Sequence, residues 1–294
     1  MKPVVSRRAI LRITGTAAAF AAAPLGKLES AASAAAAAAV ETQRSAAGVD
    51  SAAALFYRDD WLGEPWRTPE TVLMIHGVYE SSIAWYGWVP RMAQQFRVLR
   101  PDLPGSGQSR IPDGFEWSLT SLTGTLARLL DRIGVASTHV IGAKFGGSIA
   151  MQFAADYPQR TRTLSVVSGP VSRPSISSTP STPQGARLGS EAPKEQVDYW
   201  NAMMASANRE ASQGAGRVLQ SMNLDPILAR ITAPTLVITS DRSPLQPVEA
   251  VMRYQQKIPN SRLLVLSSDA YHVAVVKAEE CVTGVLSFIH ETRA

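Results

Sequence analysis

The sequence predicts an α/β fold, with a mainly parallel, twisted β-sheet covered by helices on both faces. Apolar, β-prone stretches alternate with stretches of helical spacing from about residue 49 onward, as expected for strand–helix–strand units. Thr71–Ile75 holds five consecutive strand-compatible residues, which is typical of a strand buried on both faces. A glycine-flanked turn at residues 142–147 joins an apolar strand to a helix-forming run.

The individual elements follow from local patterns along the chain. The predicted strands are residues 52–57, 71–75, 96–100, 139–141, 162–168, 235–239 and 262–266. The predicted helices are residues 81–95, 117–133, 149–155, 248–257 and a last one that ends near residue 290. Gly134 suits the C-terminal cap of the second of these helices. Residues 102–109 are rich in glycine and proline and predict a tight turn.

One segment interrupts the alternation. Residues 172–193 are rich in serine, proline and threonine, and helical stretches follow up to about residue 230. An insertion of this length between two strands predicts a helical cap over residues 171–230. The sheet and its helices are then expected to comprise residues 49–170 and 231–294, in a chain of 294 residues that is 45% hydrophobic.

The first 34 residues predict an export signal. Arg7 and Arg8 precede an apolar stretch at residues 13–25, and an alanine-rich tail containing Ala32-Ser33-Ala34 follows. This pattern resembles a twin-arginine (Tat) signal with A-x-A processing options, and residues 35–48 then form a linker. The alternative is an alanine-rich leader without a targeting role. The expectation is a protein that is exported by the Tat translocase and is periplasmic or secreted.

The basic charge of the chain belongs mainly to this leader. Residues 1–34 carry five basic side chains and one acidic one, so the formal net charge of +5 falls to about +1 when they are removed. We therefore predict no nucleic-acid partner. No apolar run in the remaining chain reaches the ~18 residues of a membrane-spanning helix, so none is expected in the mature protein. Cys281 is the only cysteine and cannot form an internal disulfide.

The turn at residues 142–147 reads Gly142-Ala143-Lys144-Phe145-Gly146-Gly147. Glycines two positions before and two after Lys144 allow a sharp strand-to-helix turn of the kind called a nucleophile elbow. The side chain of Lys144 should therefore project above the sheet at the N-terminus of a helix.

Five landmarks in one order carry a family resemblance. They are His76-Gly77-Val78, the turn at 102–109, the elbow at Lys144, Ala233-Pro234-Thr235-Leu236-Val237-Ile238, and Tyr271-His272. Together they resemble the α/β-hydrolase fold superfamily, in the branch of small esterases, C–C hydrolases and haloperoxidase-like proteins. The resemblance covers about five-sixths of the chain.

The resemblance implies a nucleophile at the elbow, an acid in the loop after the strand at 235–239, and a late histidine as base. These positions are occupied by Lys144, Ser243 and His272, so only the histidine is retained. The two backbone donors of an oxyanion hole map to the N–H groups of Val78 and Phe145. The further residues expected to line the pocket are His76, Gly77, Tyr79, Trp85 and Asp241.

The altered triad excludes ordinary serine-ester hydrolysis through residue 144, because both the hydroxyl and the carboxylate are missing. Ser148 lies one helical turn beyond Lys144 and is better explained as a small packing residue. Asp241 lies two residues before the usual acid position, and a solvated turn carboxylate is the favoured explanation of it. His76 is likewise more easily explained as structural than as catalytic.

Two functions remain open at this point. In the first, the chain is an exported, cofactor-free enzyme that acts on a small apolar carbonyl compound such as an ester, a lactone or a cleavable ketone. A desolvated Lys144 would be its nucleophile, base or fixed cation, and His272 would move protons. In the second, the chain is a non-catalytic protein that binds a small ligand or partner in the same pocket. An ion pair between Lys144 and Glu80 or Asp102 would favour the second.

No cofactor or metal is expected in either case. The four histidines are scattered without metal-ligand spacing, and no glycine-rich loop fits a nucleotide. The predicted partner of the site is therefore a small-molecule substrate or ligand.

Overall fold

A seven-stranded sheet forms the centre of the molecule in the computed structural model, which describes residues 55–175 and 185–293. Its strand order is β1-β3-β2-β4-β5-β6-β7, with β1 antiparallel to β3 and every other pair parallel. The strands are β1 Tyr57–Asp60, β2 Thr71–Ile75, β3 Arg97–Pro101, β4 Thr138–Ala143, β5 Thr161–Val167, β6 Thr235–Ser240 and β7 Ser261–Leu266. The mainly parallel sheet predicted from the sequence is confirmed.

Helices cover both faces of this sheet. They are α1 Val89–Met92, α2 Leu119–Arg132, α3 Phe145–Asp156, α4 Lys194–Ala205, α5 Arg209–Ser221, α6 Asp225–Leu228, α7 Val248–Gln255, α8 Val273–Val276 and α9 Ala278–Glu291. In the part of the chain that the structure describes, none of them is both long and apolar enough to cross a membrane. The predicted signal (1–34), the linker (35–48), residues 49–54 and part of the predicted insertion (176–184) lie outside the described residues.

The continuous apolar run of β2 is explained by burial on both faces. Leu73 and Ile75 pack into a core cluster that includes residues of α2 and α3. Val72 and Met74 point the other way, into a second cluster that includes residues of α9. Because successive side chains of a strand alternate between faces, a central strand between two helical layers is apolar at every position.

The first strand differs from the prediction in its bounds: residues 55 and 56 are not in a strand, and residues 52–54 of the predicted strand lie outside the described residues. A strand was expected over residues 52–57, whereas β1 spans Tyr57–Asp60 and pairs with β3 at the edge of the sheet. Its polar residues are stabilised by ion pairs of Asp59 with Arg97 and of Asp60 with Arg100. An edge strand held by charged side chains has no apolar run to reveal it.

The helix expected over residues 81–95 is also wrong in its extent. That stretch forms a short 3₁₀ turn, Ser82–Trp85, followed by the single-turn helix α1. Pro90 lies in the first turn of α1. Proline has no N–H to continue a preceding helix, so the segment is divided into two pieces.

The parallel strands end at one common edge, and this edge positions the site. In the register of the sheet, Ile75 at the end of β2 lies beside Gly142 of β4, and Ala143 lies beside Val167 at the end of β5. The loops that carry residues 76–80, 144, 168 and 241–243 therefore leave the sheet on the same side. Segments α4 and α5, between β5 and β6, contribute Met204 and Ser212 to a cavity at this edge.

Candidate active site

The elbow holds Lys144 in a conformation that few residues adopt. Its backbone has φ +52° and ψ −120°, outside the regions favoured by residues with a Cβ. Two glycines make the turn possible, since a Cβ on Gly142 would lie 2.2 Å from the carbonyl oxygen of Gly146, and one on Gly146 would lie 2.0 Å from that of Ile75. The N–H of Lys144 donates to the carbonyl of Val167 at 2.9 Å, which ties the turn to β5.

The amine of Lys144 lies in a buried group of three charged or titratable side chains. Its Nζ is in hydrogen-bond contact with Nδ1 of His272 and in ion-pair contact with Oε1 of Glu80. The rings of Trp200 and Tyr271 lie beside it, with centroids 5.4 and 5.9 Å from Nζ. The Lys144 side chain is 12% exposed, and that of Glu80 is 3% exposed. The structure thus brings together the predicted lysine and histidine, and adds a carboxylate to them.

Glu80 belongs to the loop that follows β2. Its Oε2 accepts a hydrogen bond from the N–H of Gly77 at 2.9 Å, while Oε1 lies 3.7 Å from Nδ1 of His272. From the sequence, Glu80 was expected only as an ion-pair partner that would favour a non-catalytic protein, and this ion pair is present. The signal that pointed to it was its position four residues after His76, in a loop at the carboxyl edge of the sheet.

Burial shifts the proton affinity of both nitrogen bases. Desolvation lowers the pKa of the Lys144 amine, the nearby charge of Arg187 lowers it further, and the Glu80 carboxylate acts in the opposite direction. Desolvation likewise lowers the pKa of His272, and the charges of Lys144 and Arg187 add to this shift. His272 is therefore neutral near pH 7. A neutral imidazole can accept a proton from the amine beside it.

The expected oxyanion donors are both available. Within the two described ranges, neither the N–H of Val78 nor that of Phe145 has a hydrogen-bond acceptor. Both residues line a cavity of about 210 Å³ that Lys144 and His272 also line. They line a second, smaller cavity with Glu80 as well. Two unpaired N–H donors beside an amine and an imidazole can bind a carbonyl oxygen on which negative charge develops.

Ser243 does not join this group. Its hydroxyl accepts hydrogen bonds from the N–H groups of Leu245 and Gln246, at 3.2 and 3.5 Å, which makes a local turn. Among the described residues it has no hydrogen bond to His272. The Ser243 hydroxyl is therefore engaged within its own loop and, in the part of the chain that the structure describes, does not take the place of the acid beside His272.

The side chains of Asp241 and Ser148 also have partners outside the group formed by Lys144, His272 and Glu80. Asp241 is exposed and accepts from the N–H of Ser268 at 2.9 Å, a bond that lowers the pKa of its carboxyl group, with Arg242 adding to the shift. Ser148 is buried, and its hydroxyl donates to the carbonyl of Pro170 at 2.5 Å. Neither replaces a member of the triad.

The remaining predicted pocket residues are distributed over several recesses. Gly77 and Tyr79 line the smaller of the two cavities described above, and Tyr79 lines the larger one as well. Trp85 lines a narrow recess with Glu80 and Lys144. His76 lines none of these; it donates from Nδ1 to the carbonyl of Gly77 and accepts at Nε2 from the N–H of Leu103. Its role is to join two loops at the edge of the sheet.

Among residues 55–175 and 185–293, no group of three histidine, cysteine, aspartate or glutamate side chains is placed to hold a metal ion. The predicted absence of a cofactor stays a prediction.

Known proteins share this architecture. The curated relatives include a dihydrolipoyllysine-residue acetyltransferase component of an acetoin cleaving system from Cupriavidus necator, 36% identical over 134 residues, which are 44% of this chain and 36% of that protein. A 2-hydroxy-6-oxononadienedioate/2-hydroxy-6-oxononatrienedioate hydrolase from Cupriavidus pinatubonensis is 28% identical over 231 residues, which are 67% of this chain and 79% of that protein. The chain spans about a third of the length of the first curated relatives that it matches.

A solved structure is also similar to this chain. The crystal structure of a hydrolase from Pseudomonas aeruginosa superimposes with a TM-score of 0.67 at 25% identity, over 80% of this chain and 94% of that one. The family model of the alpha/beta hydrolase fold matches residues 70–217, which include the loop with Glu80 and the elbow with Lys144. The chain therefore belongs to the α/β-hydrolase fold family.

Proposed function

We propose that the chain is an exported, cofactor-independent enzyme that acts on a small, largely apolar carbonyl compound. The class comprises esters, lactones and ketones with a cleavable C–C bond. This class of substrate is supported by the relative from Cupriavidus pinatubonensis, which is named a hydrolase of a keto compound, and by a relative from Aeromonas hydrophila that is named a methyl ester esterase. The observation that carries the proposal is the contact between Lys144 Nζ and His272 Nδ1 at the wall of a cavity that two free N–H donors also line.

The reaction begins with the neutral amine. A carbonyl oxygen held by the N–H groups of Val78 and Phe145 places its carbon next to Lys144. The amine nitrogen forms a bond to this carbon while the C=O electron pair moves to the oxygen. His272 takes the proton that the nitrogen loses, and a proton returned to the oxygen completes a carbinolamine. For a ketone, loss of water then gives a Schiff base, through which an adjacent C–C bond can be cleaved. For an ester or lactone no Schiff base forms, and Lys144 acts instead as the base or fixed cation beside the two N–H donors.

Reductive trapping tests this proposal directly. The protein is incubated with a library of small carbonyl compounds and sodium borohydride, and adducts are located by peptide mass spectrometry. We expect a compound-dependent adduct on Lys144, and none at that position in Lys144→Met. Lys194, which is exposed and paired with Asp198, serves as the control lysine. Turnover that is unchanged in both Lys144→Ala and His272→Ala would contradict the proposal.

A second candidate rests on the ion pair with Glu80. A lysine neutralised by a buried carboxylate is what a non-catalytic member of the family would contain, with the cavity retained to bind a small ligand. This candidate predicts that carbonyl compounds raise the melting temperature without any trapped adduct and without turnover. Thermal unfolding, borohydride trapping and turnover measured with the same library separate the two functions.

A further inference from the structure

The carboxylate of Glu80 reaches the site from a different loop than the acid of the resembling family does. It comes from the loop after β2, whereas the resembling family places its acid after β6, where this chain has Ser243. One of its oxygens is held by the N–H of Gly77 and the other faces both Lys144 and His272. The side chain is fixed at one end and directed at the amine at the other.

Lys144 is in direct contact with Oε1 of Glu80, whereas Nδ1 of His272 lies 3.7 Å away, so the contacts make Lys144 the proton-exchange partner of Glu80. The charged and titratable groups that surround the pair are His272, Arg187, Tyr271, His76 and Asp102. Asp102 is already engaged, since its two oxygens accept from the N–H groups of Ser82 and Gln108. His76 uses both ring nitrogens in the loop contacts described above.

We propose that Glu80 takes up the proton that Lys144 must lose before the amine attacks, and returns it to the oxygen that leaves as water. This inference rests on the proposed function. In the first step an ammonium–carboxylate pair becomes an amine and a carboxylic acid, so the net charge of the buried group does not change. In the later step the acid protonates the carbinolamine hydroxyl, the C–O bond breaks, water departs, and the nitrogen lone pair forms the C=N bond.

The step is favoured by its surroundings. Separated charges are costly in a site of low polarity, while a neutral amine and a neutral acid are not. Glu80 also lines the cavity that contains Val78 and Phe145, so the acid lies at the same recess as the groups expected to bind the oxygen. A carboxylate that merely neutralised Lys144 would not need access to this recess.

The test compares Glu80→Gln, Glu80→Asp and the exposed control Glu64→Gln. Labelling with trace acetic anhydride across pH, read by peptide mass spectrometry, reports the fraction of neutral Lys144 amine. We expect Glu80→Gln to shift the Lys144 labelling curve to lower pH, because the ammonium loses its anion. Adduct formation in the borohydride assay should nevertheless become on the order of 10²-fold slower, because the acid is gone. Glu80→Asp should return the Lys144 labelling curve part of the way to that of the wild type, and it should restore part of the rate of adduct formation.

The outcomes separate this proposal from the function on which it rests. A wild-type adduct that forms equally fast in Glu80→Gln overturns the role of Glu80 and leaves the enzyme proposal intact. A Lys144 labelling curve that is unchanged in Glu80→Gln also overturns the proposed proton transfer between Lys144 and Glu80. A shifted curve with no adduct in the wild type overturns the proposed function, and with it the catalytic step assigned here.

Discussion

Oε1 of Glu80 lies 3.7 Å from Nδ1 of His272, and Nζ of Lys144 contacts both atoms. The chain segments that meet here come from the loop after β2, the elbow after β4 and the start of α8. A carboxylate, an amine and an imidazole thus form one buried group.

Removing the Lys144 amine should destabilise the protein. In Lys144→Met the Glu80 carboxylate stays buried without its cation, and we expect a loss of about 3–5 kcal/mol in the free energy of unfolding. The double variant Glu80→Gln/Lys144→Met should recover most of this loss. Lys194→Met, which removes an exposed ion pair, should cost less than ~1 kcal/mol. Urea denaturation measures all four proteins, and equal loss in the single and double variants would contradict the expectation.

Buried histidines should make the protein sensitive to mild acid. Desolvation lowers the pKa of His139 to about 4, with Arg162 adding to the shift, and the pKa values of His76 and His272 are lowered too. Between about pH 6.5 and 4 the unfolded chain binds protons that the folded chain does not, so the free energy of unfolding falls as the pH falls. For His139 the shift is equivalent to about 3 kcal/mol.

Chemical denaturation at pH 7, 6, 5 and 4 checks this prediction. His139→Gln should lose less stability over the interval than the wild type does. The exposed His290 provides the matched control, and His290→Gln should follow the wild-type curve. If His139→Gln and the wild type lost equal amounts of stability between pH 7 and pH 4, His139 would not be a source of the acid sensitivity.

The elbow should not tolerate a methyl group. Gly146→Ala places a Cβ 2.0 Å from the carbonyl oxygen of Ile75, a backbone atom that cannot yield without moving β2. We expect a loss of more than about 3 kcal/mol, or failure to fold. Gly216→Ala is the control, because the residue is inside α5 and no atom beyond its chain neighbours and the backbone of that helix lies within 4 Å of the new Cβ. That change should stabilise the protein by up to about 1 kcal/mol, as measured by thermal unfolding.

Export should depend on the paired arginines. Replacing Arg7 and Arg8 by lysine should leave the protein inside the cell, whereas the unmodified chain should be recovered outside the cytoplasm without its first 34 residues or so. Cell fractionation and N-terminal sequencing measure both results. Replacement of Arg12 by lysine is the control. Equal export of the Arg7→Lys/Arg8→Lys variant would remove the basis for a Tat signal.

The sequence was most informative where apolar patterns are strong. The central strands are buried on both faces, so β2, β4 and β6 were readily predicted, and the glycines around Lys144 identified the sharp turn. The polar edge strand β1 and the proline-interrupted segment of α1 were predicted incorrectly, because their stability comes from ion pairs and local turns.

The site was only partly predictable for a similar reason. Lys144 and His272 occupy positions set by the fold, and they meet although 128 residues separate them. Glu80 could be recognised as a candidate, but the direction of its side chain depends on the hydrogen bond to Gly77, a contact that no sequence pattern encodes. Whether the loop turns a carboxylate inward or outward is a property of its backbone.

The backbone at Lys144 has a consequence for protein engineering. A residue with a Cβ held at φ +52° and ψ −120° costs on the order of 1–3 kcal/mol, and glycine would avoid that cost. A redesign that optimised thermal tolerance alone would therefore introduce glycine at this turn, together with an uncharged residue in place of Glu80. The stabilised protein would keep its architecture and lose the amine of Lys144, so position 144 must be held constant whenever the proposed activity is to be retained.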